Sequence, residues 1–216
     1  LAHRYFMGIR TGLDEAAEES DGLNTWMDRL KSSFPIRKDI VYLPEYKLRM
    51  VTPKLKLEAN FDLLIVNRDS IEIWDWKTHG ERQGGRKGLL DKKLSGSLQT
   101  MVYMYVLKSL AGLVTEREPD FESISMHYWQ PDPPKVISEI RYGSEMHERF
   151  GKILEQKVKT ILEYDYDGFD KDLYSKHCRL CEFNWFCNNE RVDFKAIEED
   201  GSFMDEIDWD DVEERL

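Results

Sequence analysis

The sequence predicts an α/β domain in which a mixed β-sheet is flanked by helices, and three observations carry that prediction. Three runs rich in β-branched and aromatic residues follow one another between residues 41 and 76. An apolar stretch with helical character, SLQTMVYMYVLKSLAG at 97–112, separates them from two further strand-like runs. Helical segments stand at both ends. The order helix, three strands, helix, strands, helix is that of an α/β domain.

The elements follow in order. Residues 1–34 read as helical, first around His3 to Ile9 and then through Leu23 to Leu30, ending near Pro35. LAHRYFMGI reads as a helix already under way, so residues are expected before Leu1. VYLPEYKLRMVT, KLKLEANFDLLIV and SIEIWDW are the three strands, with NRDS as a short hairpin turn between the last two. Residues 80–96 form a glycine-rich loop carrying Arg82, Arg86, Lys87, Lys92 and Lys93. The central helix stops at Gly112. ISMHYWQP and KVISEIRY are two more strands, and SEMHERFGKILEQKVKTILEY is an amphipathic helix with Ser144 as its N-cap. A cysteine-bearing segment, His177 to Cys187, closes the domain.

The chain has 216 residues, 41% of them hydrophobic, which is enough for a sizeable core and excludes wholesale disorder. No run approaches the eighteen or so uncharged apolar residues of a membrane span, and no secretory signal is visible, so a cytoplasmic location is expected. The formal charge of −11 is unevenly placed. Ten acids against Lys195 and Arg215 give residues 195–216 a charge of −8, leaving −3 for the rest. A domain over 1–194 with a flexible acidic tail over 195–216 is the expected organisation. The charge therefore does not exclude nucleic acid as a partner.

The chemistry begins at IWDWKTH. Asp62 in ANFDLLIV and Asp75 in IWDWK each lie in an apolar strand, where an unpaired carboxylate is costly. On adjacent strands the two carboxylates converge, and two such oxygen donors suit Mg²⁺ or Mn²⁺. Lys77, two residues after Asp75, shares its face, and Trp76 takes the other. A lysine beside a metal carboxylate can position an attacking water or offset transition-state charge. An isolated D-x-K is short enough to arise by chance, and alone it reads as a buried ion pair. Gln99 and Tyr103 are four apart on the central helix and share a face, and the glutamine needs a polar partner. Cys178, Cys181 and Cys187, spaced C-x2-C-x5-C, point to metal rather than disulfides. Zinc with His177 and an iron–sulfur cluster are both open readings.

Together these residues resemble the PD-(D/E)XK nucleases of the RecB-like branch, which includes the CRISPR-adaptation exonucleases and the AddB-type recombination nucleases. The family order is a helical G-x-x-x-H, a strand aspartate, (D/E)-x-K, Q-x-x-x-Y and a C-terminal cysteine cluster. Here it reads His3, Asp62, Asp75-Trp76-Lys77, Gln99 with Tyr103, and the three cysteines. The glycine of the first motif and the first cluster cysteine would both precede Leu1. The glycine often found just before the strand aspartate is replaced by Ala59-Asn60-Phe61.

The resemblance implies a restriction-endonuclease-like core with a C-terminal cysteine-cluster segment. It makes His3, Asp62, Asp75 and the Trp76 carbonyl the ligands of Mg²⁺ or Mn²⁺, and Lys77 the residue acting on the nucleophilic water. Gln99 and Tyr103 would brace the site or meet the DNA backbone. Cys178, Cys181 and Cys187 would hold a [4Fe–4S] cluster with a fourth cysteine from upstream of Leu1. The implied function is a metal-dependent DNase, a RecB-like exonuclease of repair, recombination or CRISPR-type processing. Its partners would be DNA, single-stranded or with single-stranded ends, and a helicase or CRISPR-adaptation protein. A catalytically silent DNA-binding or helicase-partner module with a structural metal is the rival reading.

Overall fold

In chain order the elements are α1 (Ala2–Phe6), α2 (Asp21–Ser33), β1 (Val41–Val51), β2 (Lys56–Val66), β3 (Ile71–Trp76), α3 (Leu98–Ser109), β4 (Ile124–Pro131), β5 (Pro134–Arg141) and α4 (Ser144–Glu163). They come from a computed structural model that describes residues 1–9, 21–77, 92–165 and 185. The chain divides into two units, Leu1–Leu162 and Glu163–Leu216. His79, most of the basic loop, the cysteine-bearing segment and the acidic tail lie outside the described residues.

The five strands form one sheet in sequence order. β1, β2 and β3 are successive antiparallel neighbours, β4 runs parallel to β3, and β5 is antiparallel to β4. The expected turn at NRDS closes with Asn67 N–H donating to the Ser70 carbonyl at 2.9 Å. A parallel pair cannot be joined by a tight turn. The β3–β4 connection is therefore the one that carries a helix, α3. The mixed sheet flanked by helices is the architecture the sequence predicts.

Each face of the sheet buries its own core. On one, Phe61, Leu64, Ile73 and Met126 pack with Met104 and Leu107 of α3 and with Phe150 and Leu154 of α4. On the other, Leu63, Ile65 and Trp129 pack with Phe6 of α1, Leu30 of α2 and Phe34. Phe34 meets Trp74, Trp76 and Trp129 edge-on, with ring centroids 4.7, 5.2 and 5.5 Å away. Three of the tryptophans are thereby spent on packing, each large apolar side chain contributing roughly 1.5–3 kcal/mol on full burial.

One irregularity in this sheet positions the site. On β2, Ala59 and Phe61 face the α3 core, but so do Leu64 and Val66, while Leu63 and Ile65 face the other. β1 makes the same change, with Leu43 and then Tyr46 and Leu48 facing α3. A strand alternates strictly unless its backbone departs from extended geometry. The departure lies at Glu45, whose φ of 50° is left-handed, an uncommon choice for a non-glycine residue. The ladder holds Pro44 opposite Leu63 and Tyr46 opposite Phe61, and the Glu45–Asp62 pair between them is absent. Asp62 sits at the break.

Two boundaries differ from expectation. α3 ends at Ser109 rather than at Gly112, because Leu110 leaves helical geometry (ψ 17°) and Gly112 falls in a short 3₁₀ turn, Ala111–Leu113. Ser144 is the first helical residue of α4, and Gly143 precedes it with its carbonyl accepting from His147 N–H at 3.0 Å.

Gly151 lets α4 approach α3. A Cβ there would lie 3.0 Å from Tyr105 Cε2 and 3.2 Å from its hydroxyl. Tyr105 in turn stacks on His147 at 4.5 Å, so its ring has little room to yield. Gly151→Ala should gain about 1 kcal/mol of helix propensity yet lower net stability by about 1 kcal/mol through displacing that ring. Thermal melts check it: the same substitution in a Tyr105→Leu background should raise the melting temperature instead.

Candidate active site

β2 and β3 part at the point where their charged residues begin. Their register runs from Val66 opposite Ile71 to Leu63 opposite Trp74, and one further pair would set Asp62 opposite Asp75. That pair is not formed as backbone ladder. Instead the Trp76 amide donates to Asp62 Oδ2 at 2.8 Å, a side-chain carboxylate standing in for a main-chain acceptor. Asp62 and Asp75 thus converge across adjacent strands, as their sequence positions predict.

Asp75 is buried, 3% exposed. Its Oδ1 accepts from Gln99 Nε2 at 2.6 Å. Its Oδ2 lies 3.0 Å from Lys77 Nζ as an ion pair, but off hydrogen-bond geometry, so among the described residues this buried oxygen has no directed donor. Gln99 completes a triangle, its Oε1 accepting from Lys77 Nζ at 3.0 Å. An amide between a carboxylate and an ammonium has one satisfactory orientation, with nitrogen to the acid and oxygen to the amine. The polar partner the sequence demanded for Gln99 is this pair.

The surroundings hold the triangle in place. Lys77 Nζ stands 5.0 Å above the Tyr128 ring, a cation–π contact. Tyr128 Oη and Thr100 Oγ1 are 2.7 Å apart, and Thr100 Oγ1 also donates to the Leu94 carbonyl at 2.6 Å. Ser97 caps α3 by accepting from the Thr100 amide at 3.2 Å, which anchors the turn bearing Gln99. Tyr103 Oη donates to the Asn60 carbonyl at 2.6 Å and so ties α3 to β2 two residues before Asp62. Trp76 turns to the opposite face among Phe34 and Trp129. Tyr128 and Thr100 carry no signal in the sequence, since each is an ordinary half-apolar residue until β4 is known to lie beside β3.

Both carboxyls titrate abnormally. Burial pushes Asp62 up to about 6, with the nearby Asp75 charge adding to it and the Trp76 hydrogen bond opposing it. Burial also raises Asp75, against the pull of the Lys77 charge and the Gln99 hydrogen bond. Two carboxyls that resist ionising side by side form a site that favours a cation.

The donors fit a hard divalent ion. The undirected Asp75 Oδ2 and the adjacent Asp62 carboxylate are oxygen ligands of the kind that Mg²⁺ takes, and Mg²⁺ commonly needs only one or two carboxylates. Among the described residues no three His, Cys, Asp or Glu side chains stand together as a metal-binding group. His3, half-buried on α1, is not assembled with the two aspartates into such a trio. Cys178, Cys181 and Cys187 fall outside the described residues.

With this geometry in view, comparison with known proteins is decisive at one point. A family model described as the PD-(D/E)XK nuclease superfamily matches residues 8–188. The chain belongs to the PD-(D/E)XK nuclease superfamily. Members of that superfamily are nucleases and typically use Mg²⁺ or Mn²⁺. A comparison with curated proteins finds no match. Among solved structures, one described as "Crystal structure of SSO0001" is similar at 17% identity, with a TM-score of 0.39, over 80% of this chain and 70% of that chain. The PD-(D/E)XK chain has no helix among its described residues long and apolar enough to cross a membrane.

Proposed function

We propose that the protein is a metal-dependent deoxyribonuclease of the RecB-like type, hydrolysing phosphodiester bonds in DNA with single-stranded character. The observation that carries this reading is the buried Asp75–Lys77–Gln99 triangle beside Asp62, a paired-carboxylate and lysine arrangement in a chain of this superfamily.

Asp62 and Asp75 would hold the divalent ion, with the Trp76 carbonyl and His3 as the further ligands that the family resemblance implies. When bound, the ion would polarise the scissile phosphate and acidify water. Lys77 carries its ammonium where it can orient a water for in-line attack and offset charge developing on the phosphate oxygens. Gln99 sets the direction of that ammonium, and Tyr103 keeps Gln99's helix against β2. An exonuclease role in repair, recombination or CRISPR-type processing, with a helicase or adaptation partner, accords with the order of motifs. Cys178, Cys181 and Cys187 would hold an iron–sulfur cluster, with a fourth cysteine, as the family resemblance implies.

The test is incubation of anaerobically purified protein with end-labelled single- and double-stranded DNA, with Mn²⁺, Mg²⁺ or EDTA. Cleavage with either metal and none with EDTA is the expected result. DNA binding without turnover in any metal overturns the enzymatic reading, and elemental analysis of the same sample separates iron from zinc.

A further inference from the structure

Gln130 presents a second buried polar atom without a partner. The residue is 3% exposed, and among the described residues its Oε1 has no hydrogen bond. Its Nε2 donates to the Asp132 carbonyl at 2.6 Å. That carbonyl can only accept, so the amide cannot be turned around, and the acceptor is the end left over. A buried acceptor without a donor is rare in folded proteins and calls for a reason.

Its place in the sheet supplies one. β3 and β4 are in parallel register up to Trp76 beside Trp129, and the Lys77 amide continues the pairing by donating to the Trp129 carbonyl at 2.8 Å. The next row therefore sets Lys77 beside Gln130. Met126 and Tyr128 pack in the core on Asp75's side of the sheet while Trp129 packs on the other, so alternation carries Gln130 to the face of Lys77. Lys77 Nζ already lies over the ring of Tyr128, two residues before Gln130.

The ammonium faces Asp75 Oδ2 and Gln99 Oε1. A divalent ion on Asp75 would compete with that ammonium for the same oxygen and repel it at short range. We propose that Gln130 is a positioning residue for Lys77, whose Oε1 takes the ammonium when a divalent cation occupies Asp75. Lys77 then keeps Gln99 on one side and gains Gln130 on the other, so it stays aimed while releasing the carboxylate. This rests on the function proposed above.

Two measurements test it. In a crystal structure with Ca²⁺, which loads such sites without supporting turnover in many of them, Lys77 Nζ should lie about 3 Å from Gln130 Oε1. Ca²⁺ bound with the ammonium still on Asp75, or with only a water on Oε1, overturns the inference and leaves the proposed function standing. No Ca²⁺ at the aspartates overturns both. In parallel, Gln130→Met should change the melting temperature in EDTA little, since it removes an unsatisfied acceptor along with the hydrogen bond to the Asp132 carbonyl. It should leave Ca²⁺ affinity and KM for DNA unchanged and lower kcat by roughly 10–100-fold. Gln130→Glu retains an acceptor for the ammonium but sets a carboxylate oxygen against the Asp132 carbonyl, so it should restore most of the rate at a lower melting temperature. A melting temperature that falls together with the rate in both variants indicates packing alone and overturns the positioning role, as does an unchanged kcat in Gln130→Met.

Discussion

Lys77→Ala is expected to lower DNA cleavage by at least about 100-fold, while DNA binding in a gel-shift assay persists. Among the described residues the lysine supplies the positive charge in contact with Asp75, and its side chain is partly exposed. Removing it also leaves a carboxylate of 4% side-chain exposure without its ion-pair partner. Stranding a fully buried charge typically costs about 3–5 kcal/mol. Here the lysine side chain is 32% exposed and Asp75 can escape by taking up a proton, so about 1–3 kcal/mol is expected in urea denaturation. Cleavage within threefold of wild type in a variant shown to be folded would remove Lys77 from the mechanism.

The second large effect is an opposition between stability and activity at Asp62. Its carboxyl is raised to about 6 in the folded protein, well above the usual aspartate value. The folded state thus holds a proton that the unfolded chain has released between about pH 4 and 6. Stability falls as pH rises through that window and recovers as pH falls. Asp62→Asn keeps an oxygen for the Trp76 amide but removes the charge. In EDTA at pH 7 it should therefore stabilise the protein by about 1–2 kcal/mol, the full shift being reduced by partial solvent exposure. Relative to wild type, this advantage should shrink as pH falls through that window and vanish only below about pH 3, where the unfolded aspartate is protonated as well. Cleavage should fall by more than about 100-fold, and Mn²⁺, which should raise the melting temperature of wild type, should not raise that of the variant. Calorimetry of both proteins at pH 4.5 and 7, with and without Mn²⁺, reads each of these. A variant less stable than wild type at pH 7 in EDTA would show that the Asp62 charge is favourable where it stands.

Much of the site could be read from residue order. Asp62 and Asp75 are charged positions in strands otherwise apolar, and burial of a carboxylate is costly enough to demand a purpose. The short NRDS turn implied that those strands are neighbours. Gln99 needed a polar partner and found two. Period-two alternation rightly put Lys77 with Asp75 and Trp76 behind them.

The same alternation fails around Asp62. Counting by twos from Phe61 misassigns Leu64, because the left-handed turn at Glu45 and the missing pair opposite it shift both strands by one. Nothing in PEYKL or NFDLL announces this, since a backbone torsion at a non-glycine residue is imposed by its neighbours. The supporting residues were hidden for a related reason. Tyr128, Thr100 and Gln130 acquire their roles only through the parallel β3–β4 pairing, which joins segments about fifty residues apart. His3 entered the ligand set through family resemblance alone.

The sequence by itself determined the order of elements, their placement in an α/β domain and the pair of strands on which two aspartates would meet. Those are consequences of local periodicity and of the cost of burying charge, both written along the chain. Only the tertiary structure decided that the β2–β3 ladder stops where a carboxylate replaces a carbonyl as acceptor for Trp76. It alone leaves Asp75 Oδ2 and Gln130 Oε1 without directed donors among the described residues. Such details depend on distances between groups far apart in the chain, and the free energy of a buried polar atom is set by what stands within about 3 Å of it.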